Sequence, residues 1–106
     1  MPEIVHLPVL PLADEVVLPG MVAPISLDQE AQAAVDAARS AAESRLLLVP
    51  RLDGGYGAHG VVAVIEQVGR LPNGDPAAVV RGLRRARMGS GVTGAGAALW
   101  VEATVM

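Results

Sequence analysis

The stretch from Leu7 to Pro24, LPVLPLADEVVLPGMVAP, is rich in Val and Leu yet holds Pro8, Pro11, Pro19 and Pro24, with Pro2 just upstream. Proline locks its own φ and has no N–H to give to a helix turn or a sheet ladder. At this spacing helix is excluded, and so is a central strand. What remains is extended backbone, partly polyproline-like, on a sheet edge or crossing over a barrel. IVHLPVL reads as a short strand within it. VLPGMVAP reads as a turn-rich loop around the turn dipeptide Pro19-Gly20. Its Leu18, Met21 and Val22 are too apolar for an ordinary solvated loop.

Beyond the prolines the clearest local signal is a helix. Ser26-Leu-Asp-Gln29 fits a capping box, and Asp28 and Glu30 fall in the first turn, where the helix dipole favours negative charge. Leu27, Ala31, Ala34, Val35, Ala38 and Ala42 share one face at helical spacing, with Gln32, Asp36, Arg39, Ser40 and Glu43 opposite. An alanine-lined face lets the helix axis lie close to a sheet. Arg45 is expected at the helix end, suited to the dipole.

Leu46–Val49 predicts a short, wholly apolar strand stopped by Pro50. DGGYGAHG, residues 53–60, predicts a loop. GVVAVIEQVGR and AAVVRGLRRARM predict two strands joined at PNGD, since Asn-Gly between apolar runs is a strong hairpin signal. GSGVTGAG predicts a second glycine loop, and residues 97–106 a final strand. Many short strands and one helix make a small α+β domain, and closure into a barrel is the economical way to hide their edges.

The 106 residues suffice for one domain. With 52% hydrophobic residues, 18% charged residues and no Phe or Lys, the core must come from Val, Leu, Ile, Ala and Met. So few charges beside so much apolar surface point to a compact domain with small surface residues, or to surface covered by another domain, subunit or bound chain. LWVEATVM at the end reads as a strand without an exit turn, so a segment of a longer protein is expected. A net charge of −3 gives little general attraction to polyanions. The absence of cysteine removes disulfides, thiol nucleophiles and thiolate metal sites, and fits a cytoplasmic setting. MPEIVH has no basic leader pattern, and no apolar run reaches the length of a membrane span.

Motifs for chemistry are sparse. GSGVTG matches G-x-G-x-x-G, but the dinucleotide fingerprint needs a helix opening on the glycines and an acidic residue further on, and here strand follows. His6 and His59 have no acidic partners placed to complete a metal site, so no metal is expected. No serine lies in a nucleophile elbow, and nothing assembles nucleophile, base and oxyanion donor. Arg81, Arg84, Arg85 and Arg87 hold half the basic residues in seven positions. On a regular strand Arg81, Arg85 and Arg87 share a side with Val79 and Leu83, with Arg84 on the other. Three readings stand for them: a solvated face, a docking surface for a domain or acidic peptide, or contacts to nucleic-acid phosphates. The last is disfavoured by charge and by the lack of stacking aromatics.

LPVLPL followed by VVLPGMVAP, an amphipathic helix, LLLVP, GVVAVIEQVGRLPNGD and VVRGLRRARM together resemble the N-terminal domain of the ATP-dependent protease Lon. The likeness covers roughly residues 7–105 in the right order, and the Ala-rich, Lys-free composition resembles that of a high-GC bacterium such as an actinobacterium. The resemblance implies a PUA-like pseudo-barrel of about six twisted, mostly antiparallel strands with one helix. It implies a non-catalytic role within an ATP-dependent serine endopeptidase: recognising unfolded or damaged proteins and helping to arrange a homohexamer. ATP and magnesium would belong to an ATPase module outside this segment, and the serine-lysine dyad to a protease module, since this chain has neither a Walker loop nor a lysine. On this reading Val17, Leu18, Met21 and Val22 contact substrate, with Tyr56 or Trp100 as a flat anchor. Arg81, Arg84, Arg85 and Arg87 would dock a neighbouring domain or partner.

Overall fold

The computed structural model describes residues 3–12, 17–40, 44–94, 96 and 98–106 except 53 and 54, and omits the side chains of 51, 52, 55 and 56. Seven strands and one helix follow in the order β1 (Glu3–Leu12), β2 (Val22–Ser26), α1 (Gln29–Ser40), β3 (Arg45–Leu52), β4 (Gly55–Tyr56), β5 (His59–Arg70), β6 (Pro76–Val92) and β7 (Trp100–Val105). β1 pairs antiparallel with β7 through residues 3–8 and parallel with β3 through residues 9–12. Because the sheet otherwise runs β7-β6-β5-β3, that change of partner closes five strands into a ring. β2 adds to β6 outside the ring, and the two-residue β4 to β3.

The closed ring explains the prolines. Val9 donates its N–H to the Leu99 carbonyl at 2.8 Å, toward the β7 side. Strand alternation then turns the donor-less nitrogen of Pro8 toward β3 before that ladder begins, and that of Pro11 toward β7 beyond its first residue. Leu27 donates to the Pro76 carbonyl at 3.0 Å, so within β2 the nitrogens of Ala23 and Ile25 face β6 and that of Pro24 faces outward. Each of these prolines sits where a strand has no ladder bond to lose. Pro24 also blunts the free edge of β2 against further strand addition.

Two apolar clusters occupy opposite faces of the ring. The inner one draws on every ring strand: Leu7 and Val9, Leu47 and Val49, Val62, Ala86, and Val101, Ala103 and Val105. The outer one joins Leu10, Leu46, Leu48, Ala63, Ala78, Val80 and Ile25 to Ala31, Ala34, Val35 and Ala38 of α1, which packs on β1 and β3. LLLV is apolar throughout because β3 feeds both clusters. Its four buried side chains contribute on the order of 6–12 kcal/mol by transfer arithmetic. That is comparable to the whole net stability of a typical domain.

Several local expectations change. Asp28, not Ser26, caps α1: its carboxylate accepts the Ala31 N–H at 2.8 Å, while Ser26 ends β2. Arg45 opens β3 and is no helix-end cation, and Ala42 and Glu43 lie outside the described residues. β3 does not stop at Pro50 but continues to Leu52, pairing with β4 through Arg51 and Leu52. The GSGV of the presumed glycine loop lies in β6, which runs 17 residues, so only its last part is a loop. The last three residues of VLPGMVAP likewise lie in β2. The PNGD hairpin forms, but with a wider turn. Gly74 alone takes positive φ (+93°), its N–H donates to the Leu71 carbonyl at 2.8 Å, and the Leu71 N–H donates to that of Asp75. Pro72 ahead of Asn73 favours this arrangement over a two-residue turn, which would need Asn73 at positive φ as well.

Candidate functional site

Residues 17–22 form a built surface rather than a loose loop. Leu18-Pro19-Gly20-Met21 is a type II turn: Gly20 has φ +88°, which glycine adopts without penalty, and Met21 donates to the Leu18 carbonyl at 2.9 Å. The turn is held to β6 by two further bonds of 2.8 Å, from the Gly20 N–H to the Gly82 carbonyl and from the Gly82 N–H to the Met21 carbonyl. Gly82 is glycine for a steric reason, since a Cβ there would overlap the Leu18 carbonyl oxygen. The Met21 Sδ accepts the Leu18 N–H at 3.3 Å, which fixes the thioether across the turn.

The turn sorts the four aliphatic residues. Val17 is only 4% exposed and joins the outer core cluster, so its burial anchors the loop, against the expectation of an exposed contact residue. Leu18, Met21 and Val22 are 44%, 41% and 58% exposed. Pro24, two residues along β2 and exposed on the same side as Val22, prolongs the apolar strip. Pro24 has no signature in the sequence, because Val22, Ala23, Pro24 and Ile25 are all apolar and only the pairing of β2 with β6 decides which side is exposed.

Of the two expected aromatic anchors, Trp100 is not brought to this strip. Trp100 pairs with Val92 at the far end of β6, whereas Val22 pairs with Arg81, roughly 35 Å of strand away at about 3.3 Å per residue. The half-buried Trp100 indole lies against Gly94, whose Cβ would clash with the ring. The backbone of Tyr56 forms β4, and its side chain lies outside the described residues.

The arginines also divide, for a reason that periodicity could not reveal. Ala63 pairs with Gly82 but Val62 with Arg84, leaving Leu83 as an extra residue in β6. The bulge reverses the inside–outside parity of the strand. Before it, Ala78 and Val80 face the outer cluster; after it, Ala86 faces the inner one. Arg81 and Arg84 therefore share the inner-cluster side of the sheet, and Arg85 and Arg87 point to the other, which corrects the expectation that Arg81, Arg85 and Arg87 lie together. Arg81 binds Glu66 at 2.9 Å, both side chains well exposed, so the pair adds little to stability. Glu66 is itself the extra residue of a second bulge, between Ile65 and Gln67.

Residues 6–103 match the family described as the ATP-dependent protease La (LON) substrate-binding domain. This chain belongs to that family. It is 72% identical over 97 residues to the Lon protease of Salinispora arenicola, covering 92% of this chain and 12% of that protein. It is 62% identical over 102 residues to the Lon protease of Mycolicibacterium smegmatis, covering 96% and 13%. Among solved structures, the N-terminal domain of the Mycobacterium avium complex Lon protease superimposes with a TM-score of 0.90 at 55% identity, over 95% of this chain and 54% of that one. A Lon N-terminal domain protein from Xanthomonas campestris shares the fold at TM-score 0.71 and 23% identity, over 95% and 59%. The chain thus spans about an eighth of the length of the Lon proteases it matches. The Lon substrate-binding domain fold, with its closed mixed ring and one helix, is the one the resemblance implied.

Proposed function

We propose that the strip Leu18, Met21, Val22 and Pro24 holds apolar segments of unfolded or damaged polypeptides. Its role would be to deliver them to an ATP-dependent serine protease of which this chain is the recognising part. The observation that supports this most directly is the pairing of exposure with rigidity. Three large apolar side chains stand in solvent on a turn fixed by backbone hydrogen bonds, so little ordering entropy is lost on binding. A thioether and branched aliphatics re-pack around many sequences, as a receptor for unrelated unfolded chains requires. In this reading the machine is a cytoplasmic homohexamer, and its ATP and magnesium bind outside these residues. No described helix is long and apolar enough to cross a membrane.

The test is anisotropy of fluorescein-labelled casein titrated with this chain and with the double variant Met21→Asp, Val22→Asp. Removing two apolar contacts and adding two charges should weaken binding at least about tenfold, equivalent to about 1.4 kcal/mol. Unchanged affinity, with the fold intact, would dismiss the strip as the client site. Nucleic-acid binding is the weaker reading. The four arginines fall on two faces with one tied to Glu66, so they present no continuous track for a phosphate backbone.

A further inference from the structure

The closed ring ends in a mouth that the apolar strip does not use. All five ring strands contribute to it, forming a cleft of about 450 Å³. Its floor is aliphatic: Val5 from β1, Val62 from β5, Leu83 from β6 and Val105 from β7. Its rim carries three ionisable groups, Glu3, Arg45 and Arg84. The β6 bulge creates this combination. By setting Leu83 as an extra residue opposite the Val62–Ala63 step, it turns two consecutive side chains, one apolar and one cationic, toward a single cleft. Among the described residues Arg84 makes no ion pair, so its guanidinium is available to a ligand.

We propose that this mouth binds the C-terminal residue of a polypeptide. The terminal apolar side chain would rest on the floor, and the α-carboxylate would be met by Arg84, with Arg45 on the same rim. A guanidinium presents paired N–H donors that match a carboxylate in two parallel bonds, and the aliphatic floor beneath it excludes water from one side of that contact. Barrel mouths with an apolar lining and a few convergent polar groups are common ligand sites. Arg84, which has no ion-pair partner among the described residues, gives the rim a cation for an anionic ligand, although the chain as a whole is acidic. The choice of a chain end over an internal segment follows from chemistry: a terminal residue carries its carboxylate and its apolar side chain on one Cα, matching the adjacent Leu83 and Arg84 of the cleft. Glu3 opposes the ligand carboxylate and should limit affinity.

The experiment uses two fluorescein-labelled peptides of one sequence ending in Leu-Leu, one a free acid and one a carboxamide, titrated with this chain. A third peptide, a carboxamide with Asp in place of the last Leu, offers the same carboxylate on a side chain. The free acid should bind at least tenfold tighter than either carboxamide. Arg84→Gln should remove that preference, and Glu3→Gln should tighten the free acid severalfold. These opposite signs are what a merely structural role for the rim would not produce, and circular-dichroism melts confirm that each variant is folded. Equal affinity for acid and carboxamide, or a preference that survives Arg84→Gln, overturns the proposal. Tighter binding of the Asp peptide overturns the assignment to a chain terminus. The Met21→Asp, Val22→Asp variant should keep the free-acid preference even if it loses casein, so the two sites fail separately. Loss of the preference in that variant would place terminus binding on the strip and refute the mouth.

Discussion

Gly82→Ala offers a sharp test of how the client-binding strip is held. The substitution adds one methyl group on β6, in a strand conformation that alanine readily adopts. Space is the obstacle, since the new Cβ would overlap the Leu18 carbonyl oxygen and meet a Val61 methyl at 3.2 Å. The turn must lift from β6, and with it go the bonds Gly20 N–H to Gly82 O and Gly82 N–H to Met21 O. Two backbone hydrogen bonds contribute about 1–3 kcal/mol net. Partial exposure of Val17 adds a fraction of the roughly 1.5–3 kcal/mol for burying such a side chain. Against this, replacing glycine in the unfolded chain favours the variant by about 0.4–1 kcal/mol. The balance is a loss of roughly 2 kcal/mol, or about 8–16 °C in Tm for a domain of this size. Urea denaturation measures the stability, and casein anisotropy on the same samples measures the consequence for binding. Stability within about 0.5 kcal/mol of the parent, a normal surface-substitution effect, would show that the turn does not depend on close approach to Gly82. The account of the strip as rigid would fall with it.

Two other perturbations probe separate links. Asp28→Ala should cost about 1 kcal/mol by removing the oxygen that accepts the Ala31 N–H, with Asp28→Asn nearly neutral, as chemical denaturation would report; equal losses in both would deny the cap. Gly94→Ala should displace the only tryptophan, because the added methyl collides with the Trp100 ring, and so shift the emission spectrum; an unchanged spectrum would refute that packing.

What the sequence determined by itself was a matter of local stereochemistry. Proline cannot donate, so the extended character of residues 7–12 and 22–24 was legible before any contact was known. The alanine face of α1, the all-apolar run at β3 and the two glycine-led turns were equally readable, because each follows from a single element's backbone. Tertiary structure decided the rest. Whether Ser26 or Asp28 caps the helix depended on where β2 ended against β6, since both residues could do it. Val17 and Leu18 are neighbours of like chemistry, and only the turn's docking on Gly82 sends one inward and the other to solvent. The arginines illustrate the limit most clearly: one extra residue at Leu83 reverses the alternation of β6, and no periodicity in RGLRRAR marks where it falls. The mouth joining Glu3, Arg45 and Arg84 has no signature along the chain, because it exists only once β1 pairs with both β7 and β3 and the ring is closed.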